Sequence, residues 1–178
     1  MKKKLLGLIL ALLMVFSLLP ASAFAANVVQ SGTCGENMTW TLDDEGVLTI
    51  TGTGEMTGAP WESYKDSIKS VVIGDGVTSI CNNAFLFFTS LKEVSIPASI
   101  TKIYADAFYC CSELTEIIIP DSVTEIGDRA FRGCSELTKV DMSSGLKQIG
   151  DSAFYGCTGL TSIDIPDGLK QIGDSAFS

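Results

Sequence analysis

The stretch LTEIIIPDSVTEIGDRAFRGCSE, Leu114–Glu136, is one unit of a pattern that the chain writes five times without a gap. The other units begin at Ile68, Leu91, Leu137 and Leu160, so the period is 23 residues. Two neighbouring units share an identical run, GLKQIGDSAF, at Gly145–Phe154 and Gly168–Phe177. A fixed period of this length marks stacked units, because no single unit can bury its apolar face alone.

Position 1 is aliphatic in every unit, position 4 is Val71, Val94, Ile117, Val140 and Ile163, and position 6 is Ile73, Ile96, Ile119, Met142 and Ile165. Apolar residues at positions 4 and 6 have the period of a strand with one buried face. Pro97, Pro120 and Pro166 at position 7 end that strand and turn the chain. A second apolar pair follows at position 10 (Val77, Ile100, Val123, Leu146, Leu169) and position 13 (Ile80, Ile103, Ile126, Ile149, Ile172), which predicts another extended segment. Next come Asn82, Asp128, Asp151 and Asp174 at position 15, expected to cap one helical turn, with Ala105 as the exception. An unvarying Ala at position 17 then stands beside Phe85, Phe108, Phe131, Phe154 and Phe177, small next to large, as a packed core requires. The predicted fold is a repeat solenoid, β-rich with short helical turns. Its 23-residue coils form a parallel sheet with rungs about 4.8 Å apart.

The unit resembles the BspA-type, or Treponema-type, leucine-rich repeat of bacterial surface and secreted proteins. The Ile-x-Ile-Pro, Ile-Gly-Asp-x-Ala-Phe and Gly-Cys-Ser/Thr blocks carry the likeness over Ile68–Phe177. Cys81 and Tyr104 depart from it where later units have Gly, as do Phe87–Phe88 and Cys110–Cys111 where later units have Gly-Cys. Units altered in this way fit a different neighbour. The resemblance implies a leucine-rich-repeat-like fold and an adhesin-like protein that binds protein or glycan on a host or neighbouring cell surface, with no catalytic machinery. In such proteins the strand face commonly meets the partner. That face here consists of positions 3 and 5: Glu93 and Ser95, Glu116 and Ile118, Lys139 and Asp141, Ser162 and Asp164.

Working outward, residues 26–67 predict an N-terminal cap. MTWTL and VLTITG alternate around DDEG as a β-hairpin, and PWESYKDSIK, opening on Pro60, reads as a short helix into the first unit. Such a cap would cover the open edge of the first coil. Residues 1–25 read as a signal peptide: MKKK, an apolar run from Leu5 to Leu19, Pro20, and small residues at Ala23 and Ala25. Cleavage is expected after Ala25, with Ala23 the alternative, and the mature chain is expected to be exported, extracellular or associated with the cell surface. Units 68–178 are five repeats, the last incomplete at Ser178, so a longer natural protein is expected. A competing reading makes the repeats an accessory or spacer for a domain, possibly an enzyme, beyond residue 178.

The chain carries 12 basic and 21 acidic residues, and loss of Lys2, Lys3 and Lys4 takes the net charge from −9 to −12. That sign argues against nucleic acid and anionic lipid as partners. No histidine is present, which removes His-based nucleophile pairs, His-ligated zinc and the usual base near neutral pH. No cofactor is expected. Six cysteines in an exported chain raise the question of disulfides, yet Cys111, Cys134 and Cys157 share position 21 and form a ladder of core positions. Buried free thiols are expected there, with a Cys34–Cys81 link and a vicinal Cys110–Cys111 bond as alternatives. The acidic run Asp43, Asp44 and Glu45 lacks calcium-loop spacing and reads as a hairpin turn.

Overall fold

A computed structural model describes residues 26–178. The leader expected over 1–25 lies outside the described residues. Each coil runs through two short extended segments and a series of tight turns, and two parallel ladders tie the coils together.

The more continuous ladder is made by the second extended segment. It contains β4 (Gly54–Glu55), β6 (Val77–Ile80), β8 (Lys102–Ile103), β10 (Glu125–Ile126), β12 (Gln148–Ile149) and β13 (Gln171–Ile172) in that spatial order. It continues through position 14, where Gly127, Gly150 and Gly173 each donate their N–H to the carbonyl of Ile103, Ile126 and Ile149 at 2.8 Å. The glycine is a matter of space. A Cβ on Gly150 would stand 2.5 Å from the backbone N of Asp128 and 2.6 Å from the carbonyl carbon of Gly127.

The first extended segment forms a less regular sheet than the pattern predicts. β1 (Val28–Gly35), β2 (Met38–Asp43), β3 (Val47–Gly52), β5 (Ser70–Ile73) and β7 (Glu93–Ser95) form one sheet, while β9 (Glu116–Ile118) and β11 (Lys139–Asp141) form a separate parallel pair. The stretch of the fifth coil that contains Ser162 and Asp164 forms no strand. Proline at position 7 keeps these strands to three residues, too short to hold an unbroken ladder.

The predicted helical turn is absent from the repeats. Position 16 (Asn83, Asp106, Arg129, Ser152, Ser175) and position 20 (Phe87, Cys110, Gly133, Gly156) both have φ between 53° and 75°, which breaks a helix into alternating tight turns. Position 15 accordingly caps no helix. Asn82, Asp128 and Asp151 instead accept, at Oδ1, the backbone N–H of Ala105, Asp151 and Asp174 one coil ahead, at 2.8–3.0 Å. The side chain expected to start a turn within its own coil therefore joins two coils.

The core is an aromatic column. Trp61, Phe85, Phe108, Phe131, Phe154 and Phe177 stack in sequence with centroids 5.1–5.8 Å apart and planes within 19°. Phe85, Phe108, Phe131 and Phe154 are buried. Phe177, expected in the core, is 39% exposed, because its outer face borders an open cavity of about 340 Å³ lined by Leu160, Ile163 and Phe154. Beside the column, Cys111, Cys134 and Cys157 are buried and donate their thiols to the carbonyls of Phe85, Phe108 and Phe131, 3.1–3.2 Å away. All six cysteines are free thiols.

The N-terminal segment differs most from its prediction. The hairpin of β2 and β3 gains an antiparallel third strand, β1. The short helix shrinks to a 3-10 turn at Glu62–Tyr64. β3 then lies parallel to β5 with Leu48 beside Val71 and Ile50 beside Ile73, an offset of 23 residues. Trp61 Nε1 donates to the carbonyl of Ala84 at 2.9 Å, also 23 residues on. Residues 47–61 thus run as a divergent coil preceding the first one counted in the sequence, with Trp61 in place of phenylalanine.

Candidate binding face

Alternation along each short strand decides which side chains reach solvent. On β9, Ile117 is buried between exposed Glu116 and Ile118, and on β11, Val140 is buried between exposed Lys139 and Asp141. On β7, half-buried Val94 separates exposed Glu93 and Ser95. Ser162 and Asp164 flank half-buried Ile163 and are exposed, although they belong to no strand. All eight residues expected on the face are therefore at the surface, six of them on strands.

Parallel register lines them up in two columns. Lys139 lies opposite Glu116 and Asp141 opposite Ile118. Glu93 lies opposite Ser70 and Ser95 opposite Val72. Val72 is 40% exposed and Ile118 53% exposed, so the position-5 column mixes apolar and acidic groups. Ion pairs among the described residues join other positions of neighbouring coils: Lys92–Glu113 at 3.6 Å, Lys102–Glu125 at 2.9 Å, and Arg129–Asp106 at 2.8 Å. The hydrogen bond from Lys102 to Glu125 raises the lysine pKa, and Asp106 does the same for Arg129.

Sequence reasoning began the face one strand too late. Ser70 and Val72 occupy positions 3 and 5 of the first unit, and beyond them β3 turns Thr49 and Thr51 outward, with Thr39 and Thr41 of β2 alongside. The Thr39 and Thr51 hydroxyls lie 3.2 Å apart. The available signal was Leu48-x-Ile50 standing 23 residues before Val71-x-Ile73.

Reactive chemistry is muted. Burial pushes the Cys111 and Cys34 thiols up, and Cys81 up to about 11. Cys134 and Cys157 share a thiol–thiol hydrogen bond that lowers Cys157 and drives Cys134 well up, so a thiolate would reside on Cys157. Among the described residues no group of three or more His, Cys, Asp or Glu side chains converges as a metal site.

The sequence profile described as the BspA type leucine-rich repeat region, six copies, matches residues 63–178. The chain belongs to this family. Six copies is one more than the five units counted from Ile68. A T. pallidum leucine-rich repeat protein of known structure is 30% identical at a TM-score of 0.60, over 78% of this chain and 62% of that one. A leucine-rich cell surface protein from Faecalibacterium prausnitzii is 27% identical at a TM-score of 0.53, over 85% of this chain and 52% of that one. A Bacteroides ovatus leucine-rich repeat protein, 22% identical with a TM-score of 0.56 over 88% of this chain and 50% of that one, shares the fold. The BspA-type chain thus spans between half and two thirds of the length of these proteins. No curated protein matches it. Among the described residues no helix is long and apolar enough to cross a membrane.

Proposed function

We propose that this BspA-type protein is an exported, non-catalytic binding protein of the bacterial surface or its surroundings. Its outward strand columns dock protein or glycan partners in the manner of an adhesin. The observation that carries this reading is the contrast between the two sides of each strand. Inward residues are aliphatic in every coil, whereas outward pairs change from Glu93 and Ser95 to Glu116 and Ile118 to Lys139 and Asp141. A scaffold that repeats its core and varies its surface presents a patterned face at little cost to folding. The absence of histidine from the chain and the N-terminal leader pattern support the non-catalytic, exported part of the proposal.

The observed sheet enlarges the face. With β2 and β3 added to five coils, seven rungs of about 4.8 Å by five residues of about 3.3 Å give roughly 540 Å². A stable interface takes about 800 Å² per partner, so one such face supports weak or multivalent attachment. The test uses fluorescently labelled mature protein on intact epithelial and bacterial cells, beside a variant carrying Glu93→Ala, Glu116→Ala, Lys139→Ala and Asp141→Ala. The expected result is a loss of most cell-retained label with an unchanged melting curve. Equal retention by the variant removes the strand face from consideration.

A further inference from the structure

The tight turns after each Ala-Phe pair carry a second ordered row, independent of the strand columns. Position 19 is Tyr109, Arg132 and Tyr155 in three successive coils, and Phe87 precedes them at position 20 of the first unit. The row is braced by backbone. Phe87, Cys110 and Gly133 donate their N–H groups to the carbonyls of Tyr109, Arg132 and Tyr155 at 2.7–2.8 Å. The Arg132 guanidinium carbon lies 4.7 Å from the Tyr155 ring centroid and 5.9 Å from that of Tyr109, held between two rings. Phe87 meets Tyr109 edge-on at 5.3 Å.

Two features of this row have no use in folding. Phe87 occupies a left-handed slot, φ 61°, where the third and fourth coils place Gly133 and Gly156, and its ring is 47% exposed. A bulky side chain in that conformation, turned to water, is unfavourable on both counts. Arg132 makes no ion pair or hydrogen bond among the described residues, whereas Arg129 three residues earlier is bidentate to Asp106 at 2.8 Å. Its donor fork is positioned by the tyrosines and uncommitted.

We propose that Phe87, Tyr109, Arg132 and Tyr155 form a docking strip for a partner protein segment that carries a carboxylate close to an apolar side chain. The carboxylate takes the guanidinium fork of Arg132 between the two phenols, and the apolar group packs on Phe87. The row spans three rungs, about 14 Å, the reach of four or five extended residues. Tyrosine, phenylalanine and arginine are the residues enriched where proteins meet proteins. An acidic glycan fits less well, because the guanidinium already covers the tyrosine faces on which a sugar ring would stack.

The test selects phage-displayed random dodecapeptides on the full mature chain and on its Arg132→Met variant, all strand-face residues intact. The wild-type chain is expected to enrich peptides with Asp or Glu near a large apolar residue, and the variant is not. Synthetic copies of the enriched peptides should lose about tenfold or more in affinity on Arg132→Met or Phe87→Ser, with Arg132→Lys restoring only part because a point charge lacks the fork. Changing the peptide's acid to its amide should cost a similar factor on the wild-type chain, a readout independent of how any variant folds. The strand-face variant of the preceding subsection should retain these peptides in full. Enrichment of the same peptides on both chains, or indifference to the acid-to-amide change, overturns the proposal. So does Arg132-dependent binding of hyaluronan in place of the peptides, which would assign the strip to a sugar acid.

Discussion

At the residue scale, each column of the repeat has one physical task, and single substitutions separate those tasks. Phe131 is fully buried, with Phe108 and Phe154 stacked at 5.1 Å on either side. Phe131→Ala removes both stacking partners' contacts and should cost about 3–5 kcal/mol in urea unfolding. A loss under about 1 kcal/mol would place the ring outside the core. The thiols make a pH prediction. Burial raises Cys34, Cys81 and Cys111 above their ordinary value of 9.0, with Cys81 near 11, so above pH 9 the unfolded chain releases protons that the folded chain retains. Their contribution is complete below pH 9 and is lost as pH rises towards 11 and beyond. Cys157, lowered by Cys134, opposes this trend. The urea midpoint should fall over that window, and Cys81→Ala should flatten the fall. Thiol reagents should leave Cys111 and Cys134 unmodified until denaturant is added.

At the element scale, what matters is how one coil seats on the next, and here the sequence was readable in part. The period, the two apolar pairs and the Ala-Phe core were legible because each repeats a side-chain size at a fixed position. The turn was not. Its left-handed residues include Asn83, Asp106, Arg129, Ser152 and Ser175, types that carry no common mark for that conformation, and Asp at position 15 looked like a cap because its bond partner lies in another coil. The two glycine columns allow a discriminating experiment. Gly150→Ala forces a Cβ to 2.5–2.6 Å from backbone atoms of the preceding coil and should cost about 3 kcal/mol. Gly156→Ala has its nearest neighbour at 3.9 Å and only the left-handed φ of 73° to resist it, so about 1 kcal/mol is expected. Paired melting curves test this, and equal losses would mean that the coil contact yields to the methyl.

At the scale of the whole molecule, stability is a sum over coils and the contacts between neighbours. The divergent coil at the N-terminal end was missed because Trp61 replaces phenylalanine and no Ile-Gly-Asp block precedes it. β1 was missed because VVQSGTCG has no strict apolar alternation. That end can be loosened by itself. Trp61 is fully buried and bonded to Ala84, so Trp61→Ala should cost about 3–5 kcal/mol there. Trp40 fluorescence, 6.1 Å from the lost ring, should then change at lower urea than the far-ultraviolet circular dichroism of the remaining coils. Coincident transitions would show the molecule to be a single cooperative unit.

The identical GLKQIGDSAF runs acquire a genetic meaning from this architecture. Gly150 and Gly173 receive the preceding coil in the same way, each against the aspartate and glycine one coil back. Misaligned recombination between the two copies would delete or duplicate 23 residues, and either product would still present the surfaces its neighbours expect. The gene can thus change the length of its binding face in whole rungs within a few generations while the fold remains indifferent to the count.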